Sequence, residues 1–428
     1  MIVLLPRPAR FIDALFLSAI VCHAGDWPQW RGPDRTGHVP AGIPVPGKLP
    51  GEPRYFWKFK IGESFASPVV AGGKLVYADN QDAKETIHAV DAASGKEIWR
   101  AQIDDVHKDS QGPPAPRCTP LIDGDRVYAQ SCKGEFQCLN LADGKLLWRV
   151  SFTNDFGSIF IGEKGQAPGA TRHGYNGSPL VVGENIFVTV GSTNGASLVC
   201  FKKKTGDIVW KSQNDQAAYA PPVLATIHGL EQIVYFTCDG LIGLEMKTGK
   251  LLWRTAIKTA FARHAITPVI YENFVVVSSH EAGLIGVKIS RDADAFSAGQ
   301  AWVSKEMAIN FASPVAVGKY LYGLGPTKNL FCLEIPTGKV TWSKDGYFPG
   351  SADKAYAGFL VMGKNILTLT DAGELVLFAA EPAEFKEISR LQVCAQAWCV
   401  PAYVNGKLYL RDGIRSTGEL MSVELLSN

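Results

Sequence analysis

Short stretches in which apolar and polar residues alternate recur along almost the whole chain, separated by glycine- or asparagine-containing turns. Residues 74–77, 126–128, 185–188 and 407–410 are rich in Val, Ile, Leu and Tyr and each follows such a turn. Alternation with a period of two is typical of β-strands, and no long stretch shows the 3.6-residue period of an amphipathic helix. The pattern therefore predicts many short antiparallel strands and little helix.

One phrase closes most of these units. A Gly preceded by Asp, Ser or Thr is followed by a polar residue, two further residues and a tryptophan; it ends at Trp99, Trp148, Trp210, Trp253 and Trp342, and weaker copies end at Trp302 and, without tryptophan, at Ile388. Glycine accepts the positive φ of a tight turn, and the residues after it alternate as a strand does. A large aromatic at the end of each unit is expected to pack between neighbouring units.

A second phrase opens each unit. A proline begins a short apolar strand at residues 68, 120, 179, 222, 268, 314 and 401, and Gly358-Phe359 holds the equivalent place in the seventh unit. Proline is tolerated as the first residue of a strand because that position need not donate to the ladder. The chain therefore contains eight units of four strands, each with the length of a propeller blade.

The last unit lacks its closing strand, since it ends near residues 423–425 without a tryptophan. Residues 54–61, which include Trp57, have the pattern of that missing strand and precede the first unit. Pairing them with the last unit leaves no open sheet edge. The predicted fold is all-β: an eight-bladed β-propeller of four-stranded antiparallel blades, closed by an N-terminal strand that completes the last blade. Seven blades, with the seventh degenerate, is the alternative.

The N-terminal part has a different character. Arg7 and Arg10 precede a short apolar run over residues 14–21, and small residues follow at 24 and 25, which is the order of parts in a signal peptide. We expect residues 1–24 to be a signal peptide, 25–53 an N-terminal extension and 54–428 the propeller. A buried N-terminal strand or helix is the alternative. Cys22 lacks the preceding small residue typical of a lipid-attachment site.

No later segment is long and apolar enough to span a bilayer, so the mature protein is expected to be extracytoplasmic, either periplasmic or secreted. A formal net charge of +2 argues against a nucleic-acid partner, which would require a basic stripe. Eight cysteines follow residue 24. Cys118 and Cys132 flank a predicted hairpin and either meet in a disulfide or remain buried thiols. No zinc or haem spacing motif occurs, so no metal ligand is predicted.

The repeated Asp/Thr-Gly-Lys-x-x-Trp phrase resembles the repeats of the pyrroloquinoline-quinone (PQQ) dehydrogenase superfamily, and the likeness spans residues 54 to 425. The segment Asp-Trp-Pro-Gln-Trp-Arg-Gly-Pro-Asp-Arg-Thr-Gly at residues 26–37 resembles the N-terminal signature of secreted bacterial PQQ-like repeat proteins. These are related in architecture to the propeller lipoprotein of the outer-membrane β-barrel assembly machinery. That resemblance implies a scaffold without a cofactor.

The chain departs from the dehydrogenases of that superfamily in two ways. It has no adjacent Cys-Cys pair, and no motif matches their calcium-binding Glu, Asn and catalytic Asp. Their chemistry needs a hard cation to polarise the quinone and a carboxylate base. We therefore predict no cofactor and name no catalytic residue, with PQQ and calcium as the alternative.

The loops that enter the innermost strands of a propeller surround one mouth of its channel. The residues three before the opening proline form a candidate ligand-binding ring that is mostly aromatic: Phe65, Arg117, Asn176, Tyr219, Phe311, Tyr356 and Trp398, with Ala265 in the fifth place. Facing the channel, such rings would stack a planar ligand, a sugar or a peptide side chain. The alternative is that they pack under neighbouring loops as core.

The longest inserted loops, residues 104–116 and 153–177, fall on the same face. Arg172 and His173 on one loop, and Arg263 and His264 on a shorter one, are candidates to bind a carboxylate or phosphate, or else are solvated loop residues. Trp27 and Trp30 are expected to hold the N-terminal extension across the blades.

The function predicted from these observations is a non-catalytic extracytoplasmic binding or scaffolding propeller that recognises a protein or other ligand through the loop face around the channel mouth. A PQQ-dependent alcohol or sugar dehydrogenase and a carbohydrate-recognition propeller are the alternatives, because a fold does not by itself determine a function. The partner is expected to be a protein or a glycan. Converging carboxylates in the channel would favour the enzyme, and bare aromatic rings would favour binding.

Overall fold

The computed structural model describes residues 25–110, 112–279, 282–348, 355–413 and 416–426. In it, eight four-stranded antiparallel sheets form a β-propeller around a central channel. The described residues contain only two short helices and two 3₁₀ turns besides the strands. The all-β class and the eight blades predicted from the repeats are confirmed, and the seven-bladed alternative is wrong.

The first strand in the described residues is β1 (Arg54–Ile61). Each blade is given from its innermost to its outermost strand. Blade 1 holds β2 (Val69–Ala71), β3 (Lys74–Gln81), β4 (Lys84–Asp91) and β5 (Glu97–Asp105). Blade 2 holds β6 (Leu121–Asp123), β7 (Arg126–Gln130), β8 (Glu135–Asn140) and β9 (Leu146–Ser151). Blade 3 holds β10 (Leu180–Val182), β11 (Asn185–Val188), β12 (Leu198–Lys202) and β13 (Ile208–Ser212). Blade 4 holds β14 (Val223–Ile227), β15 (Leu230–Phe236), β16 (Gly240–Glu245) and β17 (Leu251–Ala256).

The remaining blades follow the same order. Blade 5 holds β18 (Val269–Tyr271), β19 (Phe274–Ser279), β20 (Gly283–Asp292) and β21 (Ala295–Ser304). Blade 6 holds β22 (Val315–Val317), β23 (Tyr320–Leu324), β24 (Leu330–Glu334) and β25 (Lys339–Lys344). Blade 7 holds β26 (Ala357–Met362), β27 (Asn365–Thr370), β28 (Glu374–Ala379) and β29 (Glu387–Gln392). Blade 8 holds β30 (Ala402–Val404), β31 (Lys407–Arg411) and β32 (Gly418–Glu424).

In the described residues, helical structure is confined to the loops between blades. Helices α1 (Phe152–Phe156) and α2 (Gly169–His173) lie in the long connection between blades 2 and 3. The 3₁₀ turns Ala260–Ala262 and Lys305–Met307 follow the outer strands of blades 4 and 5.

The ring is closed by the first strand of the chain. β1 pairs antiparallel with β32, with Phe59 opposite Leu420, and becomes the outermost strand of blade 8. This is the closure that the tryptophan pattern of residues 54–61 predicts. It joins residues more than three hundred positions apart, so the ring cannot close until both ends of the propeller are present.

Every outermost strand carries a β-bulge next to its tryptophan position. In blade 1, for example, Trp99 pairs with Ala89 while Val90 pairs with Glu97, so Ile98 is the extra residue. A bulge adds local twist and redirects side chains. Here it turns the tryptophan towards the next blade and leaves the preceding side chain exposed, as Ile98 and Leu147 are.

The tryptophans join neighbouring blades in a regular way. Trp210 donates its Nε1–H to the Met246 carbonyl of blade 4 at 3.2 Å, and its ring covers Gly249 of the same turn. Gly249 has φ +73°, and a Cβ there would lie 2.6 Å from Trp210 Cε3. The same ring-on-glycine contact joins four other pairs: Trp57 with Gly95, Trp99 with Gly144, Trp148 with Gly206, and Trp302 with Gly338. The turn glycine therefore serves two needs, a positive φ and room for the neighbouring ring.

Blade 7 departs from this pattern at one position. The bulge lies between Leu377, which faces Ser389, and Phe378, which faces Glu387. Ile388 is therefore the bulged residue, and Ser389 occupies the tryptophan position, one residue later than the sequence pattern indicated. Ser389 Oγ accepts a hydrogen bond from the Leu49 amide at 2.9 Å, which links this blade to the N-terminal extension instead.

The N-terminal extension passes through the channel. We call residues 27–44 the axial segment, because its hydrogen bonds reach every blade at the innermost strand or the residues leading into it. From blade 1 to blade 8 these bonds join Trp27 with Val70, Pro28 with Ile122, Arg35 with Ser178 and Pro222, Trp30 with Thr267, Arg31 with Pro314, Val39 with Val361, and Pro44 with Tyr403. The expectation that Trp27 and Trp30 hold this segment across blades agrees with these contacts.

The cysteines that the structure describes are all free, so the Cys118–Cys132 disulfide alternative does not hold. Burial raises the pKa of the Cys118 thiol to about 12. The expected signal peptide, residues 1–24, lies outside the described residues. Within the described part of the chain, no helix has the length and apolar character needed to cross a membrane.

Candidate functional site

A cavity of about 440 Å³ lies at the channel mouth, on the face where the innermost strands begin, which we call the loop face. Its size is within the range of small-ligand sites in proteins. The residues that line it are Trp30, Phe65, Ser110, Arg117, Thr119, His173, Asn176, Ser178, Tyr219, Pro221, Arg263, Ala265, Phe311, Tyr356 and Trp398. All seven residues of the sequence-derived ring are among them, each contributed by a different blade.

One half of the cavity is aromatic. Phe311, Tyr356, Trp398 and Phe65 precede the innermost strands of blades 6, 7, 8 and 1, which are consecutive around the ring. The Trp398 ring centroid lies 5.6, 5.4 and 6.1 Å from those of Phe311, Tyr356 and Phe65. Aromatic pairs at such distances stabilise one another. We call these four side chains the aromatic wall.

The other half is polar and basic. Arg117, Asn176, Tyr219 and Arg263 lie at or before the innermost strands of blades 2 to 5, and His173 joins them from the loop between blades 2 and 3. We call this set the polar wall. None of the described residues that line the cavity is an Asp or a Glu. The cavity is therefore amphipathic across its width, and the charged side chains among its described lining residues are basic.

Tyr219 is the residue of the polar wall whose hydroxyl has no hydrogen-bond partner among the described residues. Its backbone N–H donates to the His264 carbonyl at 3.0 Å, which holds the residue in place. Burial raises the pKa of this phenol well above its usual value, while Arg117, Arg172 and Arg263 oppose the rise. Cys238 adds to the rise, so the hydroxyl is neutral and can donate a hydrogen bond.

Arg117 is held by a buried carboxylate behind the wall. Its two terminal nitrogens donate to Asp109 at 2.8 and 2.7 Å, and it also donates to the His173 carbonyl at 3.0 Å. Asp109 accepts a further hydrogen bond from His173 Nδ1 at 2.9 Å. Asp109 thus ties the loop before blade 2 to the loop before blade 3, and bidentate pairs of this kind are geometrically specific.

The same two loops are joined a second time nearby. Glu163 accepts hydrogen bonds from the backbone N–H of Ser110 at 2.7 Å and from its hydroxyl. His107 packs edge-on against Phe160 with ring centroids 4.8 Å apart. These contacts hold the rim of the cavity in one arrangement, although it is made of long insertions.

The four basic loop residues predicted from the sequence have different surroundings. His173 and Arg263 line the cavity, whereas Arg172 lies behind His173, donating to its Nε2 at 3.2 Å and stacking on Phe261 at 4.6 Å. His264 does not reach the cavity. It is fully buried, stacks on Phe236 at 4.0 Å and hydrogen-bonds the Thr237 carbonyl at 2.7 Å, and burial lowers its pKa to about 4.

The floor of the cavity is supplied by the axial segment. Trp30 lines it and donates Nε1–H to Thr267 Oγ1 at 2.9 Å. Below it, the fully buried Arg35 donates to Gln29 and to the Ser178 and Pro222 carbonyls, and its Nη2 has no partner among the described residues. Burial lowers the pKa of this guanidinium to about 9. The axial segment thus contributes Trp30 to the cavity lining and places the buried Arg35 guanidinium beside Ser178, another lining residue.

A buried carboxyl lies near the polar wall without lining the cavity. Glu85 accepts from the Cys132 backbone N–H at 3.0 Å through one oxygen, while the other oxygen has no partner among the described residues. Burial raises the pKa of Glu85 to about 7, and Asp104 adds to the rise. Its alternation pattern in the sequence is that of an ordinary strand residue, so only the three-dimensional structure reveals it.

The residues present do not fit a calcium–quinone pair. Calcium takes six to eight oxygen ligands, several of them from carboxylates. No carboxylate lines the cavity among the described residues, and these residues include no group of three or more His, Cys, Asp or Glu able to hold a metal ion. We therefore derive no reaction step through PQQ.

Sequence reasoning located the ring but missed what supports it. Asp109, Glu163 and Trp30 each depend on contacts between distant segments, and the inserted loops carry no repeat that could reveal their pairing. Trp30 was expected to pack across the blades, but its place in the cavity floor follows only from the path of the axial segment.

Comparison with known proteins places the chain among propeller proteins of this repeat type. A family model described as "Outer membrane protein assembly factor BamB" matches residues 83–344. The outer membrane protein assembly factor BamB of Moranella endobia is 24% identical over 236 residues, which cover 53% of this chain and 56% of that protein. Tetrathionate hydrolase of Acidithiobacillus ferrooxidans is 20% identical over 242 residues, 53% of this chain and 44% of that protein. The chain thus spans about half the length of these curated relatives.

Solved structures show the same fold. BamB from Moraxella catarrhalis superposes with a TM-score of 0.60 at 14% identity, covering 88% of this chain and 98% of that chain. Quinohemoprotein alcohol dehydrogenase from Comamonas testosteroni superposes with a TM-score of 0.52 at 15% identity, covering 96% and 82%. With the family model matching more than half of its residues, the chain belongs to the PQQ-type repeat family of outer membrane protein assembly factor BamB.

Proposed function

We propose that this protein is a non-catalytic, extracytoplasmic scaffold that binds a partner protein through its loop face. The observation that carries the proposal is the amphipathic cavity at the channel mouth, to which all eight blades contribute. A rigid scaffold with its recognition groups on surrounding loops is a common arrangement for binding proteins. The family membership supports a protein as the partner, because the matching family model and the Moranella endobia relative are assembly factors by name.

The rim of the cavity supports a macromolecular partner. Ile159 and Ile161, on the long loop between blades 2 and 3, are 50% and 44% exposed. The same loop is held by the Glu163–Ser110 hydrogen bonds, so these apolar side chains are presented on a defined surface. Exposed apolar groups beside a pocket are typical of protein-binding surfaces.

The histidine at the site supports binding rather than catalysis. An Asp–His pair can act as a general base when the second ring nitrogen faces the substrate. In His173, Nδ1 bonds Asp109 and Nε2 accepts from Arg172 at 3.2 Å, so both nitrogens are engaged by the protein itself. This arrangement positions the loop and leaves His173 without a lone pair for a substrate proton.

The experiment that tests the proposal is site-specific photo-cross-linking in the cells that make the protein. A photoreactive residue at Ile159 or Ile161 is expected to give a discrete adduct with a partner protein that is identified by mass spectrometry. The matched control is the same residue at Lys319, on the opposite face of the propeller, which is expected to give no such adduct. Equal cross-linking from both faces, or none from the loop face, contradicts the proposal.

The dehydrogenase alternative is tested on the purified protein with PQQ and calcium. The aromatic wall could stack a planar quinone, which is the observation that favours this alternative. Saturable PQQ binding together with dye-linked turnover of an alcohol or sugar would replace the scaffold proposal with an enzyme. We expect neither, because none of the described residues that line the cavity offers a carboxylate to a cation or to an alcohol proton.

A further inference from the structure

The outer edge of blade 8 brings exposed aromatic and basic side chains together on one short stretch of chain. Phe56 is the extra residue at the β-bulge of β1, and its side chain is 47% exposed. Tyr55 beside it is 38% exposed, and these two are the aromatic members among the exposed large apolar side chains of the described residues. We propose that this edge, formed by residues 54–60 and Lys407, docks on the surface of an anionic phospholipid bilayer. We call it the blade 8 edge.

Both aromatic rings are held at the surface with a lysine beside them. Tyr55 donates its hydroxyl to the Val393 carbonyl at 2.8 Å, so its side chain joins the outer strands of blades 7 and 8. Lys58 Nζ lies 5.2 Å from the centroid of the Tyr55 ring, and Lys407 Nζ lies 4.1 Å from that of Phe56. Such pairs suit a membrane–water interface, because the ring lies at the level of the headgroups while the amine reaches a phosphate.

Basic side chains outnumber acidic ones along this edge. Four basic residues face two acidic residues of β32; they are Arg54, Lys58, Lys60 and Lys407, against Glu419 and Glu424. The ion pairs Arg54–Glu424 and Lys58–Glu419 are exposed, at 3.8 and 3.6 Å, and Lys60 and Lys407 have no ion pair within the described part of the chain. Just before the strand, Lys48 and Glu52 offset one another. The edge therefore has an excess of positive charge, which attracts an anionic lipid surface.

The described chain begins next to this edge. Gly25 packs against the Asn405 side chain, in the turn that immediately precedes Lys407. Upstream of Gly25 the sequence carries the apolar run of residues 14–21, and the four residues from there to Gly25 span at most about 14 Å when extended. While that run is attached to the chain and lies in a bilayer, the headgroups are within reach of blade 8. The position of the chain start thus favours lipid as the occupant of the edge.

A second copy of the chain is a poor occupant of the same edge. β1 is the last strand of its sheet, so one side of its backbone is unpaired in the described residues. Antiparallel pairing with β1 of another copy would bring Arg54, Lys58 and Lys60 close to the same residues of that copy, and like charges across a strand pair are destabilising. An anionic lipid surface accepts these charges, and its interfacial region accepts the Phe56 ring.

Docking at this edge leaves the loop face free. The Asn405–Gly406 turn joins the innermost strand of blade 8 to β31, so it lies on the face opposite the channel mouth. Arg54 and Lys407 both pair with Glu424, which places Phe56 near that opposite face as well. A molecule bound to a bilayer through the blade 8 edge therefore keeps its channel mouth open to a partner. The inference is independent of what binds there.

Vesicle sedimentation with the protein purified from the cells that make it tests the proposal. The vesicles contain phosphatidylglycerol and phosphatidylcholine in a one-to-three ratio, and vesicles of phosphatidylcholine alone are the reference. We expect the partition coefficient to be at least about ten-fold higher on the anionic vesicles. The excess should disappear at high salt, because exposed charges are screened.

Two sets of variants separate the aromatic and the basic contributions. Phe56→Ser, and the double change Lys60→Gln with Lys407→Gln, should each lower the partition coefficient on anionic vesicles by about ten-fold. The matched controls are Leu147→Ser, which is 43% exposed at the same bulge position of blade 2, and Lys211→Gln, which is exposed on blade 3. Neither control should change the partition coefficient, and all of these variants should keep the melting temperature of the parent because they alter exposed side chains.

A fluorescent label reports which edge meets the lipid. An environment-sensitive fluorophore on Phe56→Cys should shift to shorter wavelength with anionic vesicles, and the same label on Leu147→Cys should not. Both are made with Cys394→Ser, because Cys394 is partly exposed whereas the other described cysteines are buried.

Three results overturn the proposal: no preference for the anionic vesicles, equal loss of binding in Phe56→Ser and Leu147→Ser, or equal shifts of the label at the two positions. A discrete protein adduct from a photoreactive residue at position 56, without vesicle binding, would assign the edge to an acidic protein instead. Cross-linking from the loop face is expected to be the same in Phe56→Ser and the parent, so failure of the lipid inference leaves the scaffold function standing.

Discussion

Two turn glycines differ in whether a neighbouring blade packs against them. Gly249 and Gly183 both have positive φ, at +73° and +57°, but a Cβ on Gly249 would meet the Trp210 ring, whereas a Cβ on Gly183 would meet nothing within 4 Å. The first glycine belongs to the repeated phrase and the second to an ordinary hairpin. The repeated sequence motif therefore reflects a contact between neighbouring blades as well as a tight turn.

Gly249→Ala and Gly183→Ala separate these two needs. Each variant should have a free energy of unfolding about 1–2 kcal/mol lower than the parent, because alanine is strained at positive φ. Gly249→Ala should lose at least about 1 kcal/mol more, since the new methyl group displaces Trp210 and its bond to Met246. Melting temperatures from calorimetry of the two variants test this, and equal losses would mean that the ring-on-glycine contact contributes nothing.

Glu85 predicts an unusual pH dependence. Because burial raises its folded-state pKa from 4.5 to about 7, ionisation is penalised in the folded protein, and the stability contribution of this residue falls as pH rises through that window. Glu85→Gln should therefore gain up to about 3 kcal/mol relative to the parent at pH 8 and little at pH 4.

Thermal unfolding of Glu85→Gln and the parent between pH 4 and pH 8 measures this difference. The matched control is Glu334→Gln, because Lys319 holds the pKa of Glu334 below its usual value and the sign is opposite. A difference between Glu85→Gln and the parent that does not change with pH would show that Glu85 does not titrate in this range.

At the scale of elements, the axial segment connects the blades across the channel and contributes Trp30 to the cavity lining. It makes hydrogen bonds to all eight blades, and Trp27, with 1% of its surface exposed, fills the space beside Val70. The sequence predicts the extension as a separate unit but not its path, because most of its hydrogen bonds to the blades involve backbone groups that the sequence does not distinguish.

Trp27→Ala should detach part of this segment. Truncating a buried tryptophan costs about 3–5 kcal/mol, and the loss should be accompanied by faster proteolytic cleavage within residues 27–44. Phe56→Ala, at an aromatic residue that is 47% exposed, should change stability by no more than about 0.5 kcal/mol. If protease cuts the axial segment at the same rate in Trp27→Ala and the parent, the segment is held by its hydrogen bonds alone.

The strands could be predicted from the sequence because each has a local sequence pattern. Alternation, the opening proline and the closing Gly-x-x-x-Trp phrase locate the blades, and even the exchange of β1 into the last blade follows from a missing tryptophan strand. The sequence pattern places Ile388 at the tryptophan position of blade 7, but the structure places Ser389 there. Without a tryptophan, nothing in the sequence marks the position of the one-residue bulge.

At the scale of the whole molecule, the repeat is symmetric but the mouth is not. Blades 6, 7, 8 and 1 bring aromatic side chains to the cavity, and blades 2 to 5 bring polar and basic ones, although every residue occupies the same place in its blade. The ring was predictable because register alone assigns these positions. The sequence also contains the division into two walls. It can be recognised only when the ring is closed, because blade 1 then adjoins blade 8 and the four aromatic positions become consecutive.

Phe59→Pro tests closure of the ring. Proline at position 59, opposite Leu420, lacks a backbone N–H and fixes φ within the strand, so the last blade should lose its outer strand and the melting temperature should fall by several degrees. Glu52→Pro, just before the strand, should have little effect. A cooperative transition at the parent's temperature in Phe59→Pro would show that the ring stays closed without this pairing.

The path of the axial segment and of β1 also imposes an order on biosynthesis. Residues 27–61 are made first, yet their partners include Val361, Tyr403 and Leu420, which are made last. A nascent chain must therefore leave the backbone edge of β1 and the end of the axial segment without these partners until nearly the whole polypeptide has emerged. The closing contacts of the ring are thus the last that synthesis allows, and until then an unpaired strand edge is open to pairing with other chains.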